Sequence, residues 1–390
     1  MPFHFLKRTF ISPLLEFIHD SRAVGIMLII CTAVSLFISN SGWGNGYIAF
    51  WNSEIHLSHS LPHSVIHWIN DGLMAVFFFQ VGMEIKREMV QGELSSFKKS
   101  VLPVAGAIGG MAIPALIFFF FNKGTIYAGG WGIPMATDIA FSLGVASLLG
   151  KRVPLSLKIF LTALAIIDDL GAIVAIALFY TESIHFNYLF GGLGIAAALM
   201  LWNYFKLPFG FWNFILGMLI WFCFYNSGVH ATIAGVLFAF TIPMNRLAQL
   251  EHAFHNYVNF LIIPFFALAN TAIIIPSGFS AHISNNLSLG IMLGLLAGKP
   301  LGIVGITYLL VKLKVGALAK DIQWKHMIGM GLLAAIGFTM SIFIAMLAFK
   351  DSFTQDISKM AVMVASFIAI ILAYAWFKIF TKVPDKKAMA

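Results

Sequence analysis

The chain has 390 residues, of which 60% are hydrophobic and 10% are charged, and its mean hydropathy is +0.90. Soluble domains average roughly 45 to 50% apolar and about 25% charged residues, so a soluble globular fold and a disordered chain are excluded. The formal charge of +8 comes from 24 Lys and Arg against 16 Asp and Glu. In a membrane protein this excess indicates cytoplasmic loops rather than a nucleic-acid partner.

Apolar runs of about 20 residues, the length that crosses a bilayer as a helix, recur along the whole chain. They predict an all-α polytopic membrane protein with twelve transmembrane helices in one integral membrane domain, residues 1–390. The predicted spans are centred near Ile30, Val76, Gly110, Asp138, Asp168, Ala196, Met218, Val236, Ile263, Leu295, Gly337 and Ile370. The loops between them are short, so the chemistry must take place within the membrane or at its edges.

The orientation of the predicted spans follows from the basic residues, because Lys and Arg near span ends are retained in the cytoplasm. With twelve spans, 20 of the 24 Lys and Arg lie on the side of the two termini. Only Lys123, Lys350 and Lys359 lie on the other side, and Lys299 falls inside a span. Both termini are therefore predicted to be cytoplasmic.

Four charged side chains lie in the middle of predicted spans: Asp138, Asp168, Asp169 and Lys299. A charge at the bilayer centre costs about 2.5 to 3.5 kcal/mol on insertion scales, so such residues usually line a polar cavity. An ion-pair network that only holds helices together is the structural alternative. Three acids against one base, however, leave surplus negative charge that requires a cation or protons.

Asp168 and Asp169 are adjacent on a predicted helix, where successive side chains point about 100° apart. Two carboxylates so close together are expected to titrate as a coupled pair. Such a pair can hold protons when it is empty and release them to a small hard cation, for which carboxylate oxygen is a natural ligand. The pair therefore predicts exchange of a cation against protons at one site.

The fourth and eleventh predicted spans are expected to be irregular at depth. Pro134 removes a backbone donor just before Thr137 and Asp138, and Gly337 precedes Thr339. Non-helical backbone is tolerated in a membrane only where it is buried or lines a cavity, and two interrupted spans in separate halves indicate a transport site. For the glycines alone, close helix packing is the alternative.

Six segments of the chain resemble the NhaA family of bacterial sodium/proton antiporters. They are residues 68–78 (WINDGLMAVFF), 82–88 (GMEIKRE), 131–141 (WGIPMATDIAF), 164–173 (LAIIDDLGAI), 298–303 (GKPLGI) and 336–345 (IGFTMSIFIA). The resemblance implies inverted repeats, formed by spans three to five and ten to twelve, that make a core bundle. Within it the discontinuous helices of spans four and eleven cross at mid-membrane, and the remaining spans form a scaffold and interface.

The resemblance also implies roles for the buried charges. Asp169 is implied to be the principal sodium or lithium ligand, and Asp168 the proton carrier, paired with Lys299. Asp138 then balances the positive ends of the facing half-helices, and Thr137 neighbours the cation path. Whether Lys299 itself releases a proton stays open.

A cytoplasmic pH-responsive cluster is a further implication of the resemblance. Its residues are Glu84, Arg87, Glu88, Glu251 and His252, and His230 in segment 227–232 (SGVHAT) is similarly tied to pH response. For each of these alone, a solvated helix end or an interface histidine is the alternative. The chain departs from the family at Ala248 and Gln249, where a basic residue is expected. The loop 43–61 is shorter than the family's dimer-forming hairpin, so a homodimer stays an open expectation.

The predicted function is export of sodium or lithium in exchange for protons across the bacterial inner membrane, with two protons per sodium, pH regulation and a role in sodium and pH homeostasis. The expected partners are these ions and the lipid bilayer, without a cofactor. An intramembrane aspartyl protease is the enzyme alternative, but it requires aspartates that face each other from two helices. A passive cation channel is another alternative, although the sequence contains no recognisable carbonyl filter.

Overall fold

The computed structural model describes residues 21–55, 58, 60–181, 183–276 and 278–381, with the backbone alone at 21, 22 and 281. The terminal residues 1–20 and 382–390, including the basic residues predicted to be cytoplasmic there, lie outside the described residues. Where the chain is described, its regular structure is helical, and its extended backbone pairs only in one antiparallel bridge, between Glu54 and Ser64.

The helices are numbered along the chain. They are α1 (Ser21–Ser39), α2 (Gly44–Trp51), α3 (Val65–Val90), α4 (Phe97–Asn122), α5 (Ile139–Leu148), α6 (Leu155–Phe179), α7 (Phe186–Tyr204), α8 (Phe211–Ser227), α9 (Ala231–Thr241), α10 (residues 244–270), α11 (Phe279–Ile283), α12 (Asn286–Lys312), α13 (Trp324–Ala334), α14 (Phe338–Ala348) and α15 (Ser352–Phe380). A 3₁₀ segment, Ala128–Met135, precedes α5, and π-helical turns interrupt α3 at Trp68–Leu73 and α12 at Gly294–Gly298.

Within the described residues, seven helical stretches are long and apolar enough to cross a membrane, or nine if each of two bent pairs is one span. The bent pairs are α1 with α2, at 119°, and α13 with α14, at 46°. Helices α8 and α9 are apolar but shorter. The all-helical polytopic architecture is thus confirmed at the level of seven to nine spans, and the count of twelve stays a prediction.

The interrupted backbone predicted near Asp138 and Gly337 is present. Between the 3₁₀ segment and α5 the chain is extended, with ψ of 150° at Ala136 and 100° at Asp138. Helix α13 ends at Ala334, and α14 begins at Phe338. The two breaks meet, because the Asp138 amide donates a 2.7 Å hydrogen bond to the carbonyl oxygen of Ile336.

Helices α4 and α12 pack backbone against backbone. A Cβ on Gly302 would lie 2.1 Å from the carbonyl oxygen of Gly109, and a Cβ on Gly109 would lie 2.3 Å from the carbonyl oxygen of Gly302. Glycine permits this approach, which is a usual way for helices to associate in lipid. The contact holds α12, the helix that carries Lys299, against α4.

We expect Gly302→Ala to lower the thermal stability of the purified protein, because the new methyl group meets backbone that cannot move aside. Overpacking of this kind costs about 1 to 3 kcal/mol. Gly305→Ala is the matched control, since no heavy atom lies within 4 Å of a Cβ at that position. Thermal unfolding in detergent compares the two variants, and equal melting temperatures would contradict the close helix contact.

Candidate functional site

Lys299, Asp168 and Thr137 form a fully buried cluster between three parts of the chain. The Lys299 ammonium donates hydrogen bonds to Asp168 Oδ2 and to the Thr137 hydroxyl oxygen. The Thr137 hydroxyl in turn lies 2.6 Å from Asp168 Oδ2 and 3.0 Å from the Ala334 carbonyl oxygen. Lys299 directly follows the π-helical turn Gly294–Gly298, and such turns are frequent at functional sites.

Asp169, beside Asp168 on α6, is also buried. Oδ1 of each carboxylate is buried and has no hydrogen-bond partner among the described residues. Most buried polar atoms in proteins are paired, so unpaired carboxylate oxygens indicate a site that a proton or a cation completes. The described residues include no group of three or more His, Cys, Asp and Glu side chains that could hold a metal ion.

Asp138 joins the two breaks through its side chain. Its Oδ1 accepts a 3.0 Å hydrogen bond from the Phe141 amide and so caps α5. Its Oδ2 accepts hydrogen bonds from the Thr339 amide, at 3.0 Å, and the Thr339 hydroxyl, at 2.5 Å, in the first turn of α14. One carboxylate thus accepts hydrogen bonds from the amino-terminal ends of two half-helices, the ends that carry the positive pole of the helix dipole.

Hydroxyl groups from each break also satisfy carbonyl groups of the other. Ser142 on α5 donates to the Leu333 carbonyl oxygen near the end of α13, and Ser341 on α14 donates to the Ile133 carbonyl oxygen, both at 2.7 Å. A side chain at Gly337 would meet the Ser341 hydroxyl, since a Cβ there would lie 2.2 Å from it. Helix ends in an apolar medium need such partners.

Four of the five charged residues that the resemblance groups at the end of α3 lie in contact. Arg87 pairs with Glu88 at 3.3 Å, with Glu84 at 3.9 Å and, across to α10, with Glu251 at 3.0 Å. Burial raises the pKa of Glu251, and the Arg87 guanidinium partly offsets the rise. His252 is exposed and belongs to none of these ion pairs.

The structure separates His230 from this cluster. His230 stands at the amino-terminal end of α9, whereas Lys86, next to Arg87, donates hydrogen bonds to the Phe240 and Ile242 carbonyl oxygens at the other end. His230 instead lines a polar cavity of about 440 Å³. The cavity's other polar and charged side chains are Asp71, Tyr180, Tyr225, Lys350 and Gln355.

Two residues of this cavity were missed by the sequence reasoning. Asp71 lies in the second predicted span, so the rule that flags intramembrane acids would have found it. The Tyr180 hydroxyl donates to the Gly129 carbonyl oxygen at 2.9 Å and accepts from the Gly132 amide at 3.1 Å. No sequence signal marks that contact, which ties the cavity wall to the 3₁₀ segment before Asp138.

A polytopic helical bundle with surplus buried carboxylates, a buried lysine and two interrupted helices has the features of a secondary ion transporter. Residues 15–377 match the family model described as Na+/H+ antiporter 1. The chain belongs to this family of sodium/proton antiporters, as the six segments predicted. Its members are transporters, so the protease alternative is wrong, and antiport likewise excludes the passive channel.

Curated relatives match along almost the whole chain. An Na(+)/H(+) antiporter NhaA of Cytophaga hutchinsonii is 47% identical over 95% of this chain and 96% of its own length. An NhaA 2 of Flavobacterium johnsoniae is 49% identical over 91% and 89%. An NhaA of Dechloromonas aromatica is 46% identical over 96% and 97%. The similarity therefore extends over the whole helical bundle.

We expect Thr339→Val to destabilise the protein by about 1 to 3 kcal/mol, because it removes a hydrogen bond to a buried carboxylate, Asp138. Thr307→Val is the matched control, since the buried Thr307 hydroxyl has no hydrogen-bond partner within the described chain. Valine has nearly the same shape, so this control should be neutral or stabilising. If thermal unfolding shows Thr307→Val to be the more damaging change, Thr339 does not stabilise the contact between the two breaks.

Proposed function

We propose that this chain, as a member of a sodium/proton antiporter family, exchanges sodium or lithium for protons at the buried pair Asp168 and Asp169. One observation carries the proposal: both carboxylates are buried, Lys299 is paired with Asp168 alone, and each carboxylate keeps an oxygen without a partner in the described chain. Uncompensated buried charge is costly, so the site is stable only with a proton or a cation bound.

The exchange then follows from competition at one site. When the carboxylates lose their protons, Asp169 provides the principal ligand for the cation, and the Asp168 carboxylate supplies the second negative charge of the site. When protons return, they displace the cation, and Asp168 acts as the proton carrier that alternates with its ion pair to Lys299. Thr137 supplies a hydroxyl oxygen beside this path, because it contacts both Asp168 and Lys299.

Asp138 has a different proposed role. Its oxygens are occupied by amide and hydroxyl donors from two half-helices. We infer that it stays charged through the cycle and stabilises the two breaks rather than binding the transported ions. This role suits the crossed discontinuous helices that the resemblance implies for spans four and eleven.

The finer architecture is also proposed. The chain is proposed to cross the bacterial inner membrane twelve times, with both termini in the cytoplasm. The distribution of Lys and Arg between alternate loops agrees with this topology. Spans three to five and ten to twelve form the core bundle, and the other spans form the scaffold. Homodimerisation through that scaffold stays a prediction, and no cofactor is proposed.

We expect Asp169→Asn and Asp168→Asn each to abolish sodium-driven proton movement in vesicles, because each removes a group that must alternate between charged and protonated states. Asp169→Asn should fold normally, since it removes surplus buried charge. Asp168→Asn should also lower thermal stability, since it removes the hydrogen-bonded partner of buried Lys299. Asp321→Asn, at an exposed position, is the control. If purified Asp168→Asn or Asp169→Asn transports normally, the two carboxylates do not form one shared exchange site.

Exchange of two protons for one sodium moves one net positive charge inward in each cycle. A membrane potential of 100 mV is then worth about 2.3 kcal/mol per cycle, more than the roughly 1.4 kcal/mol of a tenfold gradient. We expect the final sodium gradient in vesicles to change more than tenfold per 100 mV of clamped potential. If the final sodium gradient does not change with the clamped membrane potential, the exchange is electroneutral instead.

The charged cluster at the end of α3 is expected to contribute modestly to the pH dependence of transport. The raised pKa of Glu251 keeps it neutral at acidic pH, and as pH rises it ionises and pairs with Arg87. Glu251→Gln is neutral at every pH, so at saturating sodium it should shift the rate profile toward alkaline pH, by less than about one unit on the ordinary scale of perturbed pKa values. His252→Ala should have an equally modest effect.

Competition at Asp168 and Asp169 is proposed as the main source of pH dependence. Its mark is an apparent sodium KM that falls smoothly as pH rises. Glu93→Gln is the control for the cluster variants, because Glu93 is paired with Lys99 at an exposed position. A steep activation in wild type that disappears in Glu251→Gln or His252→Ala would mean that the cluster dominates regulation.

A further inference from the structure

The Tyr180 hydroxyl bridges two backbone groups of the 3₁₀ segment Ala128–Met135. It accepts a 3.1 Å hydrogen bond from the Gly132 amide and donates a 2.9 Å hydrogen bond to the Gly129 carbonyl oxygen. These are the two backbone groups that an i to i+3 hydrogen bond joins in a 3₁₀ turn. A side-chain hydroxyl from another part of the bundle therefore takes part in the hydrogen bonding of one turn of this segment.

Tyr180 is fixed to the end of α6, the helix that carries Asp168 and Asp169. It directly follows the last residue of α6, and its amide donates a hydrogen bond to the Ile176 carbonyl oxygen. Its ring stacks against the Trp131 ring, with the two centroids 6.3 Å apart and the planes inclined by 25°. The hydroxyl thus joins the end of α6 to the 3₁₀ segment, and the ring packing holds the tyrosine in place.

Gly132 leaves the space that this hydroxyl occupies. A Cβ on Gly132 would lie 2.6 Å from the Tyr180 hydroxyl oxygen, closer than a Cβ comes to other atoms in proteins. The backbone of Gly132 lies outside the left-handed region that favours glycine. The close approach of the tyrosine, and not the backbone conformation, therefore accounts for glycine at this position.

The bridge acts on the same two parts of the chain as the candidate ion site. Among the hydrogen bonds of the described residues, two side chains connect α6 and its end with residues 128–138: Asp168, which contacts Thr137, and Tyr180. Tyr180 lies twelve residues beyond Asp168, about 18 Å along the helix. Thr137 follows Gly132 by five residues. Contacts at two separate points fix a segment against a helix better than one, so Tyr180 constrains where Thr137 lies relative to Asp168.

We propose, on the basis of the proposed exchange at Asp168 and Asp169, that Tyr180 is a positioning residue for cation binding. Its hydroxyl holds the 3₁₀ segment at a fixed height along α6 and so keeps the Thr137 hydroxyl beside the Asp168 carboxylate. The two groups are 2.6 Å apart, so a displacement of about 1 Å away from Asp168 ends their hydrogen bond. Loss of the Tyr180 hydroxyl leaves every charged group of the exchange in place, so its effect falls on sodium binding and not on the rate at saturating sodium.

The test measures the sodium KM and the maximal rate of sodium/proton exchange in vesicles at one fixed pH, together with the melting temperature of each purified variant. Tyr180→Phe removes the hydroxyl and retains the ring that packs on Trp131. Gly132→Ala retains the tyrosine and displaces its hydroxyl. The matched controls are Tyr204→Phe, at a tyrosine that is 77% exposed, and Gly194→Ala, where no heavy atom lies within 4 Å of the added Cβ.

We expect Tyr180→Phe to raise the sodium KM about fivefold, the effect of one ordinary hydrogen bond, with a maximal rate within about twofold of wild type. Gly132→Ala should raise the KM by a similar factor. The two changes combined should have the effect of Tyr180→Phe alone, because the added methyl group then has no hydroxyl to displace. Both controls should have the wild-type KM. If Gly132→Ala does not fold, Tyr180→Phe alone decides the test.

Three results would overturn the inference. A wild-type sodium KM in Tyr180→Phe, with or without a lowered melting temperature, would show that the hydroxyl only stabilises the fold. A lower maximal rate at unchanged KM would place Tyr180 in the transport movement and not in cation binding. Effects of Tyr180→Phe and Gly132→Ala that multiply in the double variant would show that the glycine acts independently of the hydroxyl. Absence of sodium/proton exchange in wild type is a separate result, which overturns the proposed function itself.

Discussion

The constraint on which this structure depends is surplus negative charge in a medium that does not tolerate it. Asp138, Asp168 and Asp169 are buried, and Lys299 is the base that is buried with them. Each carboxylate is accommodated differently. Asp168 is paired with Lys299 and contacts Thr137, and the Asp138 carboxylate accepts three hydrogen bonds from two helix ends. Oδ1 of Asp169 has no hydrogen-bond partner in the described chain.

The interrupted helices are a consequence of this constraint. Free amide and carbonyl groups in the interior of a membrane protein must be satisfied by other protein groups. Here the Asp138 carboxylate accepts hydrogen bonds from the free amides. The hydroxyl groups of Thr137, Ser142 and Ser341 donate to the free carbonyl oxygens. The same contacts position Thr137 beside Asp168 and Lys299, so the polar groups that make the breaks tolerable also form the wall of the proposed ion site.

Other polar features lie away from this centre. Arg87 gathers Glu84, Glu88 and Glu251 at the end of α3, whereas Asp71 and His230 line a cavity at the opposite end of α9. The molecule therefore separates the proposed ion site, the charged cluster and the polar cavity into different regions.

The amino-acid sequence by itself determined the membrane class, the interrupted backbone near Pro134 and Gly337, the four buried charges and the family, because hydropathy, helix breakers and charge at depth are local properties. The resemblance implied that Lys299 pairs with Asp168, that Asp138 balances two half-helix ends and that Arg87 and Glu251 share a cluster, but only the tertiary structure decided which atoms make these contacts. These contacts join residues far apart in the chain, and their distances depend on how the helices pack. Helix packing also decided that His230 stands apart from the charged cluster, which its place in the sequence does not reveal.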